Sequence, residues 1–295
     1  MADTSTSMDD LSTRAIAAAV AAAAAHGLRC DAPEVLADSA NVLVRLGPAP
    51  VVARVATTTA LVRKPIERWM QVDVDMAGYL AGQGFQVVRP SGELAPGPHL
   101  QDGFAVSFWE YVDHDRNYLP SVNEVGGLLR DLHGVLRGYK GELRRLSPFA
   151  EVSEWLDEIG RWGTVNPDDL AMLRRGYEQT SARIRRLQLP DQPLHGDAHK
   201  KNLLKTSRGL LWADFEDACR GPLEWDLACF VRTSGEDRKT ALASYGCKVE
   251  MERLIPFFEA RDLQGGVWGA VLSSRFADRR ERAEEWMSVC RARYR

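Results

Sequence analysis

The chain has 295 residues, 45% of them hydrophobic and 27% charged, with a formal net charge of −3 and a pI near 6.1. That length is enough for two lobes with separate cores, and the balance is that of an ordinary soluble globular protein. No lysine–arginine stripe dominates, which argues against nucleic acid as the main partner; five widely spaced cysteines with no CxxC argue against a disulfide framework or a zinc site and point to reduced, cytoplasmic thiols.

Residues 1–10 are polar and read as frayed. The alanine run Ala15–Ala25 follows Asp3, Asp9 and Asp10, with Arg14 as the one positive side chain. It is too short and too weakly apolar for a membrane span, and its flank is wrong for a signal peptide. Residues 11–26 therefore predict a surface or docking helix of high alanine propensity, ended by Gly27. No other stretch is long and apolar enough to cross a membrane. Short β-like runs follow: Val35-Leu36 into a turn at Asp38-Ser39-Ala40, then Asn41 to Leu46, a Gly47-Pro48-Ala49-Pro50 turn, and Val51 to Val55. A small polar turn between antiparallel strands can offer backbone N–H groups to phosphates, which makes Ser39 and Asn41 candidates; an ordinary β-turn is the alternative. Alternation places Val52, Arg54 and Ala56 on one face. A lone cation in an apolar strand needs an anion, unless Arg54 lies exposed on an edge.

Residues 66–81 predict an amphipathic helix on Trp69, Val72, Met76 and Leu80. Asp73 lies one turn from Trp69 and Ala77, with Asp75 and Glu67 as alternative carboxylates on the same helix. Residues 82–103 are loop-rich, with a strand-like Phe85 to Val88. Phe104 to Val112 is an apolar β run. Ser121-Val122-Asn123-Glu124 reads as a capping box before a helix on Val125, Leu128, Leu129, Leu132 and Leu136. His133 beside that stripe reads as a satisfied core histidine. Residues 151–187 predict two helices, the first ending near Gly160 or Gly163, the second starting at Asn166-Pro167. Glu151, Glu154, Asp157 and Glu158 form either a solvated face or an acidic cleft for a cationic substrate. Asp226 lies in the apolar segment LEWDLACFV and needs buried donors. Residues 236–295 are helical in pattern, anchored by Phe257-Phe258, Val267-Trp268 and Trp286.

The chemistry is concentrated in LHGDAHKKNLLKTSRGLLWADFED, Leu194 to Asp217. Asp197, Asn202 and Asp214 are spaced by five residues and then twelve. Leu203-Leu204 and Leu210-Leu211-Trp212 flank a polar tip with a glycine, which reads as a β-hairpin with its midpoint at Arg208. If it closes there, Asn202 and Asp214 lie near each other across the ladder. Two oxygen-bearing side chains beside a loop carboxylate suit a hard cation such as Mg²⁺, and Asp197 is left as a base for a hydroxyl.

HGDxxxxN followed by Asp-Phe-Glu resembles the aminoglycoside phosphotransferase family, whose fold is similar to that of protein kinases, with HRDxxxxN and DFG as the corresponding pieces. The resemblance implies an α+β, protein-kinase-like two-lobed fold: a small β-rich N-lobe with one main helix, residues 1–112 including the hinge, and a larger, mostly α-helical C-lobe, residues 113–295. It implies that Asp197 orients and deprotonates the acceptor hydroxyl and that Asn202 and Asp214 hold Mg²⁺ on the phosphates of ATP or GTP. It makes His195 a brace for the loop, places His199 near the γ-phosphate, and makes Asp226 a structural support. Arg54 takes the place of the phosphate-binding lysine, and Asp73 that of the helix glutamate paired with it. Trp109, Glu110 and Tyr111 fall at the hinge that offers backbone groups to the purine, or are buried strand aromatics. Two departures stand out: Lys200-Lys201 where family members often read Pro-Gly, and Glu216 at the DFG glycine.

The expected activity is a small-molecule kinase that moves a γ-phosphoryl group onto a hydroxyl of an antibiotic, sugar or alcohol metabolite, in resistance or in metabolism. Two alternatives differ in class. One is a catalytically inactive, kinase-like nucleotide-binding module. The other is a metal-dependent hydrolase using His195, Asp197 and His199, which would share a face if that segment were a strand.

Overall fold

The computed structural model describes residues 4–294. The chain opens with α1 (Thr4–Ala25), so the segment predicted to be frayed is already helical from Thr4, and only residues 1–3 of it lie outside the described residues. Three strands follow, β1 (Ala32–Asp38), β2 (Asn41–Gly47) and β3 (Val51–Ala56), then a short α2 (Thr58–Val62) and the long α3 (Glu67–Gly82). β4 (His99–Gln101) lies inside the stretch predicted to be loop, and β5 (Phe104–Glu110) follows it. Next come α4 (Val122–Leu136), α5 (Ser147–Ala150), α6 (Val152–Trp162) and α7 (Pro167–Arg186). Short strands β6 (Asp191–Leu194), β7 (Leu203–Thr206), β8 (Gly209–Trp212) and β9 (Cys219–Pro222) surround the motif. The chain closes on α8 (Glu224–Thr233), α9 (Arg238–Tyr245), α10 (Met251–Arg275) and α11 (Arg280–Tyr294). No helix among the described residues is long and apolar enough to cross a membrane.

The residues form two compact units. The first runs to Asp115 and takes in Lys205–Glu216; the second holds Arg116–Leu204 and the chain from Asp217 onward. The expected boundary at 112/113 therefore falls three residues later, and the hairpin tip and Asp214 group with the first unit.

In the first unit five antiparallel strands are ordered β1-β2-β3-β5-β4. The central strands β2, β3 and β5 are buried on both faces, whereas β1 is largely exposed. Val42, Val44, Val51, Ala53, Val55, Val106 and Phe108 form one core with Ala15, Ala18, Ala19, Ala22 and Ala23. Those alanines recur at i, i+3, i+4, i+7 and i+8, a helical stripe of side chains small enough to let α1 lie close on the sheet. Of the two expectations for the alanine helix, surface or docking, the docked one holds: it is a core element of this unit. The opposite face carries Ala56 and Ala105 against Met70 of α3. Phe85–Val88 is not a strand of this sheet. Val87 makes a single parallel bridge to Trp212, with Val88 N–H donating to the Trp212 carbonyl (2.8 Å) and Trp212 N–H to that of Gln86 (3.0 Å).

The second unit is mainly helical. Ser121 and Glu124 close the predicted capping box at the start of α4. Asn166 caps α7 by accepting the Asp169 N–H (2.9 Å), and α6 ends at Gly163. The four candidate acidic residues form no open cleft: Glu151 is buried, and Glu154, Asp157 and Glu158 pair with Arg144, Arg174 and Arg161. α10 is the central helix, packed on α6, α7, α8 and α11.

Gly126 marks where α4 meets α9. A Cβ there would lie 2.6 Å from the Ser244 carbonyl carbon and 2.8 Å from Tyr245 N, backbone atoms that cannot rotate away. Overpacking of about 1–3 kcal/mol then outweighs the roughly 1 kcal/mol that alanine gains over glycine within a helix. Gly126→Ala should lower the melting temperature in calorimetry. An unchanged or raised melting temperature would show that α4 and α9 separate without cost.

Candidate active site

The segment after β6 cannot continue as a strand. Gly196 has φ +87°, and a Cβ on it would collide with the carbonyl oxygen of Asp217. Glycine is the residue that accepts both the left-handed backbone and the close approach. The turn is fixed from outside by Asp226 of α8, fully buried, whose Oδ2 accepts the His195 N–H and whose Oδ1 accepts that of Gly196, each at 2.9 Å. His133 of α4 donates from Nε2 to Asp226 Oδ2 (2.9 Å), and its Nδ1 lies 2.9 Å from the Tyr245 hydroxyl. Burial raises the Asp226 pKa, but the His133 hydrogen bond and the nearby histidines outweigh it and hold the carboxyl below its ordinary value. His133 is thus a buried histidine with both ring nitrogens in hydrogen-bonding contact, and Asp226 has the buried donors its apolar segment requires. His195 is fully buried, and its Nδ1 accepts the Asp197 N–H (3.3 Å).

Asp197 stands at the head of this turn with its side chain 31% exposed. His199 Nε2 lies 3.2 Å from Oδ2; Arg261 Nη2 lies 3.2 Å from Oδ1, which also accepts from the Cys229 thiol (3.4 Å). Burial pushes the carboxyl up, but the His199 hydrogen bond, the Arg261 charge and the two histidines pull harder and hold it well below the usual carboxylate range. Burial of His199 is likewise outweighed by Asp197, which raises its pKa. Residues 200–202 form one turn of 3-10 helix that presents Asn202, whose Nδ2 donates to the Asp197 carbonyl (3.0 Å). Lys200 turns to the carbonyl of Ser234 (3.2 Å), so this departure from the family pattern closes the end of α8.

The first unit holds a second charged cluster. Arg54 lies on the α3 side of the sheet, opposite Leu43 and Ser107 in register. Its Nη1 meets Asp73 Oδ2 at 2.8 Å; its Nη2 meets Asp214 Oδ1 at 2.8 Å and Glu216 Oε2 at 2.7 Å. Of the three carboxylates on α3, Asp73 is therefore the partner, one methylene shorter than glutamate but close enough. Its other oxygen accepts the Phe215 N–H (2.8 Å). Burial pushes Asp73 up to about 7 despite the pull of Arg54, with the charges of Asp214 and Glu216 adding to the rise. Burial of Arg54 is more than offset by Glu216, Asp214 and Asp73, which raise its pKa. Asp214 has φ +69°, rare for a residue with a side chain and a mark of stored strain.

Glu216 was legible only as a replaced glycine. It bridges Arg54 to the buried Arg63 (3.6 Å) and accepts from Asn41 Nδ2 (3.2 Å). Asn41, buried and also receiving the Thr59 hydroxyl (2.5 Å), is thereby committed to this cluster. The Ser39 N–H closes the turn onto the Asn41 carbonyl (3.2 Å), and the Ser39 carbonyl accepts from Thr58 Oγ1 (3.0 Å). Trp109 Nε1 donates to Ser107 Oγ (2.9 Å). The Glu110 N–H is used by the Arg89 carbonyl (2.9 Å) and its carboxylate by Arg208 (3.0 Å). The Tyr111 N–H is used by the Pro50 carbonyl (2.8 Å), and its ring lies under Arg45 (4.1 Å). The other carboxylate oxygen of Glu110, Oε2, is buried and has no hydrogen-bond partner among the described residues. The arrangement of His195, Asp197 and His199 is a turn rather than a strand face. Among the described residues no three His, Cys, Asp or Glu side chains converge as a metal-holding group.

The donors for a hard cation are oxygens. Asn202 uses its amide nitrogen on the Asp197 carbonyl, which leaves the amide oxygen as its acceptor end. Asp214 is 42% exposed and uses Oδ1 on Arg54. Each, within its own unit, is the kind of oxygen ligand that Mg²⁺ takes alongside water and phosphate.

The family model described as "Phosphotransferase enzyme family" (APH) matches residues 32–257. Curated relatives include thiamine kinases of Escherichia coli. That of O6:K15:H31 (strain 536 / UPEC) is 30% identical and that of O1:K1 / APEC 34% identical, each over 162 residues. Each alignment covers 54% of this chain and 54% of the relative, so the chain spans about half the length of the curated relatives it matches. Among solved structures, a choline/ethanolamine kinase family protein from Mesorhizobium loti superposes with a TM-score of 0.61 at 19% identity, covering 97% of this chain and 94% of that one. An amicoumacin kinase in complex with AMP-PNP, Ca²⁺ and Ami gives a TM-score of 0.68 at 13% identity, covering 98% and 96%. With the family match spanning most of its length, this chain belongs to the phosphotransferase enzyme family, APH, and has its protein-kinase-like fold.

Proposed function

We propose that this chain is a small-molecule kinase that transfers the γ-phosphoryl group of ATP or GTP to a hydroxyl of a small acceptor. The observation that carries the reading is Asp197. It is a partly exposed carboxylate at the head of a turn whose backbone is pinned by a buried aspartate, in the sequence context of a phosphotransferase. In this reading Asp197 receives the acceptor hydroxyl and takes its proton as the new P–O bond forms. Arg54, held by Asp73 on α3, is the cation for the phosphates. Asn202 and Asp214 are the oxygen donors for Mg²⁺, which supplies charge neutralisation on the transferring phosphates. A cytoplasmic location belongs to the same proposal, since the nucleotide is there.

The acceptor class is taken from the relatives. Thiamine, choline, ethanolamine, aminopropanol and kanamycin appear in their descriptions and make the first panel, with sugars and further antibiotics behind them. The test measures ADP or GDP release and phosphorylated product for each acceptor, with Mg²⁺ and either nucleotide. Phosphorylation of one acceptor supports the reading. Nucleotide binding with no transfer to any acceptor or to water would make the chain an inactive module.

Two variants separate the roles. Asp197→Asn keeps the shape and removes the proton acceptor. It should lower kcat by about 10²- to 10⁴-fold while the Mg²⁺-dependent thermal shift given by ATP is retained. Asp214→Asn removes a metal-binding charge and one partner of Arg54. It should shrink that shift, since stabilisation follows the ratio of ligand to Kd. An Asp197→Asn protein that still transfers at the wild-type rate would remove Asp197 from the chemistry.

A further inference from the structure

Arg261 stands 64 residues beyond Asp197, outside every motif, yet its guanidinium lies against it. It belongs to α10, where Leu254, Phe257, Phe258, Leu263 and Val267 make the buried stripe, and it takes a place in that stripe with its own side chain only 6% exposed. A buried cation in such a position requires specific anionic or carbonyl partners. Nη2 donates to the Gly196 carbonyl (2.7 Å) and lies 3.2 Å from Asp197 Oδ1, so one nitrogen joins the loop backbone to the carboxylate. Nη1 donates to Gln264 Oε1 (3.0 Å), one turn along the same helix. Its Cζ lies 4.4 Å from the centroid of the Trp225 ring, and Trp225 Nε1 donates to the same Gly196 carbonyl (2.7 Å). The guanidinium is therefore set in position and tilt by contacts that do not involve Asp197. Nε is buried without a hydrogen-bond partner among the described residues, and Nη2 is a held donor aimed at Asp197 Oδ1.

We infer that Arg261 is a positioning residue for the phosphoryl transfer proposed above: it holds Asp197 Oδ1 and the Gly196 carbonyl together, fixing the carboxylate rotamer that meets the acceptor hydroxyl. The inference rests on the kinase reading. Lysine cannot replace it fully. A single ammonium reaches Asp197 or the Gly196 carbonyl, but it lacks the planar fork that also holds Gln264 and stacks on Trp225. Misplacing a reacting group by about 1 Å costs up to about 10²-fold in rate, which sets the size of the expected effect.

The test compares wild type, Arg261→Lys and Arg261→Ala with Mg²⁺ and ATP, reading ADP release with the best acceptor of the panel or, failing one, with water. Arg261→Ala should lose about 10- to 100-fold in kcat, with Arg261→Lys between the two and the Kd for ATP unchanged in both. Guanidinium chloride at millimolar concentration should restore part of the Arg261→Ala rate. Wild-type kcat in Arg261→Ala would overturn the inference and leave the kinase reading standing. So would a loss confined to melting temperature and ATP binding, with no guanidinium rescue. If Arg261→Ala does not fold, Gln264→Leu unties Nη1 and keeps the charge. A lowered kcat at unchanged ATP affinity then supports the inference, and an unchanged kcat overturns it. No transfer by the wild type to any acceptor or to water overturns the kinase reading and this inference with it.

Discussion

One buried carboxylate sets the geometry of the second unit. Asp226 receives the N–H groups of two successive residues, His195 and Gly196, and a third donor from His133. Bonds to an ionised acceptor are about twice as strong as neutral ones, and a buried amide left without a partner is costly. The turn after β6 therefore has one backbone path. Gly196 is held on its other side as well, since its carbonyl, in the peptide it shares with Asp197, receives both Trp225 Nε1 and Arg261 Nη2. Both polar groups of the Gly196 unit are fixed, so the Asp197 side chain leaves the backbone from a rigid peptide. Preorganisation of this kind is what phosphoryl transfer demands of a protein, because the chemistry is mainly positioning and charge neutralisation.

The first unit solves a different problem. Arg54 and Arg63 face Asp73, Asp214 and Glu216, two cations against three carboxylates. Under the proposed reading that surplus suits a divalent cation. Three carboxylates already engage Arg54, so a phosphate competes with them for it. Asp214 is the partner most ready to be displaced, being half exposed and held in a strained backbone conformation, whereas Asp73 is buried and tied to the Phe215 N–H. The exchange keeps the Arg54–Asp73 pair and frees the carboxylate that the proposal assigns to the metal.

What the sequence made legible was local or periodic. The capping box at Ser121, the Asn166-Pro167 start of α7 and the apolar setting of Asp226 are all contained within short windows, and each is found in the structure as read. The pairing of Arg54 with Asp73 was reached through the resemblance, and the three-carboxylate choice on α3 needed coordinates. Whether the alanine helix stays on the surface or docks was left open by the sequence because alanine is ambiguous: it favours a helix wherever it stands, and burial at Ala15, Ala19 and Ala23 depends on a sheet that follows later in the chain. Phe85–Val88 had the composition of a strand, but its one partner is Trp212, more than a hundred residues away. Arg261 was hidden for the same reason. Its signal was a charged residue in the Phe257 stripe of α10, and only the fold supplies Asp197 as its partner.

The setting of Asp197 also restricts the kind of base it can be. A carboxylate held by His199 and Arg261 well below the usual range has little affinity for a proton in the resting protein. Such a group cannot strip an alcohol of its proton in advance of reaction. It can align the hydroxyl by accepting its hydrogen bond, and it can accept the proton late, once bond formation to phosphorus has made the oxygen acidic. A loose transition state places little demand on nucleophile strength, so early deprotonation is not required. Under the proposed kinase reading, the ion pairs that weaken Asp197 as a base are also those that fix its direction.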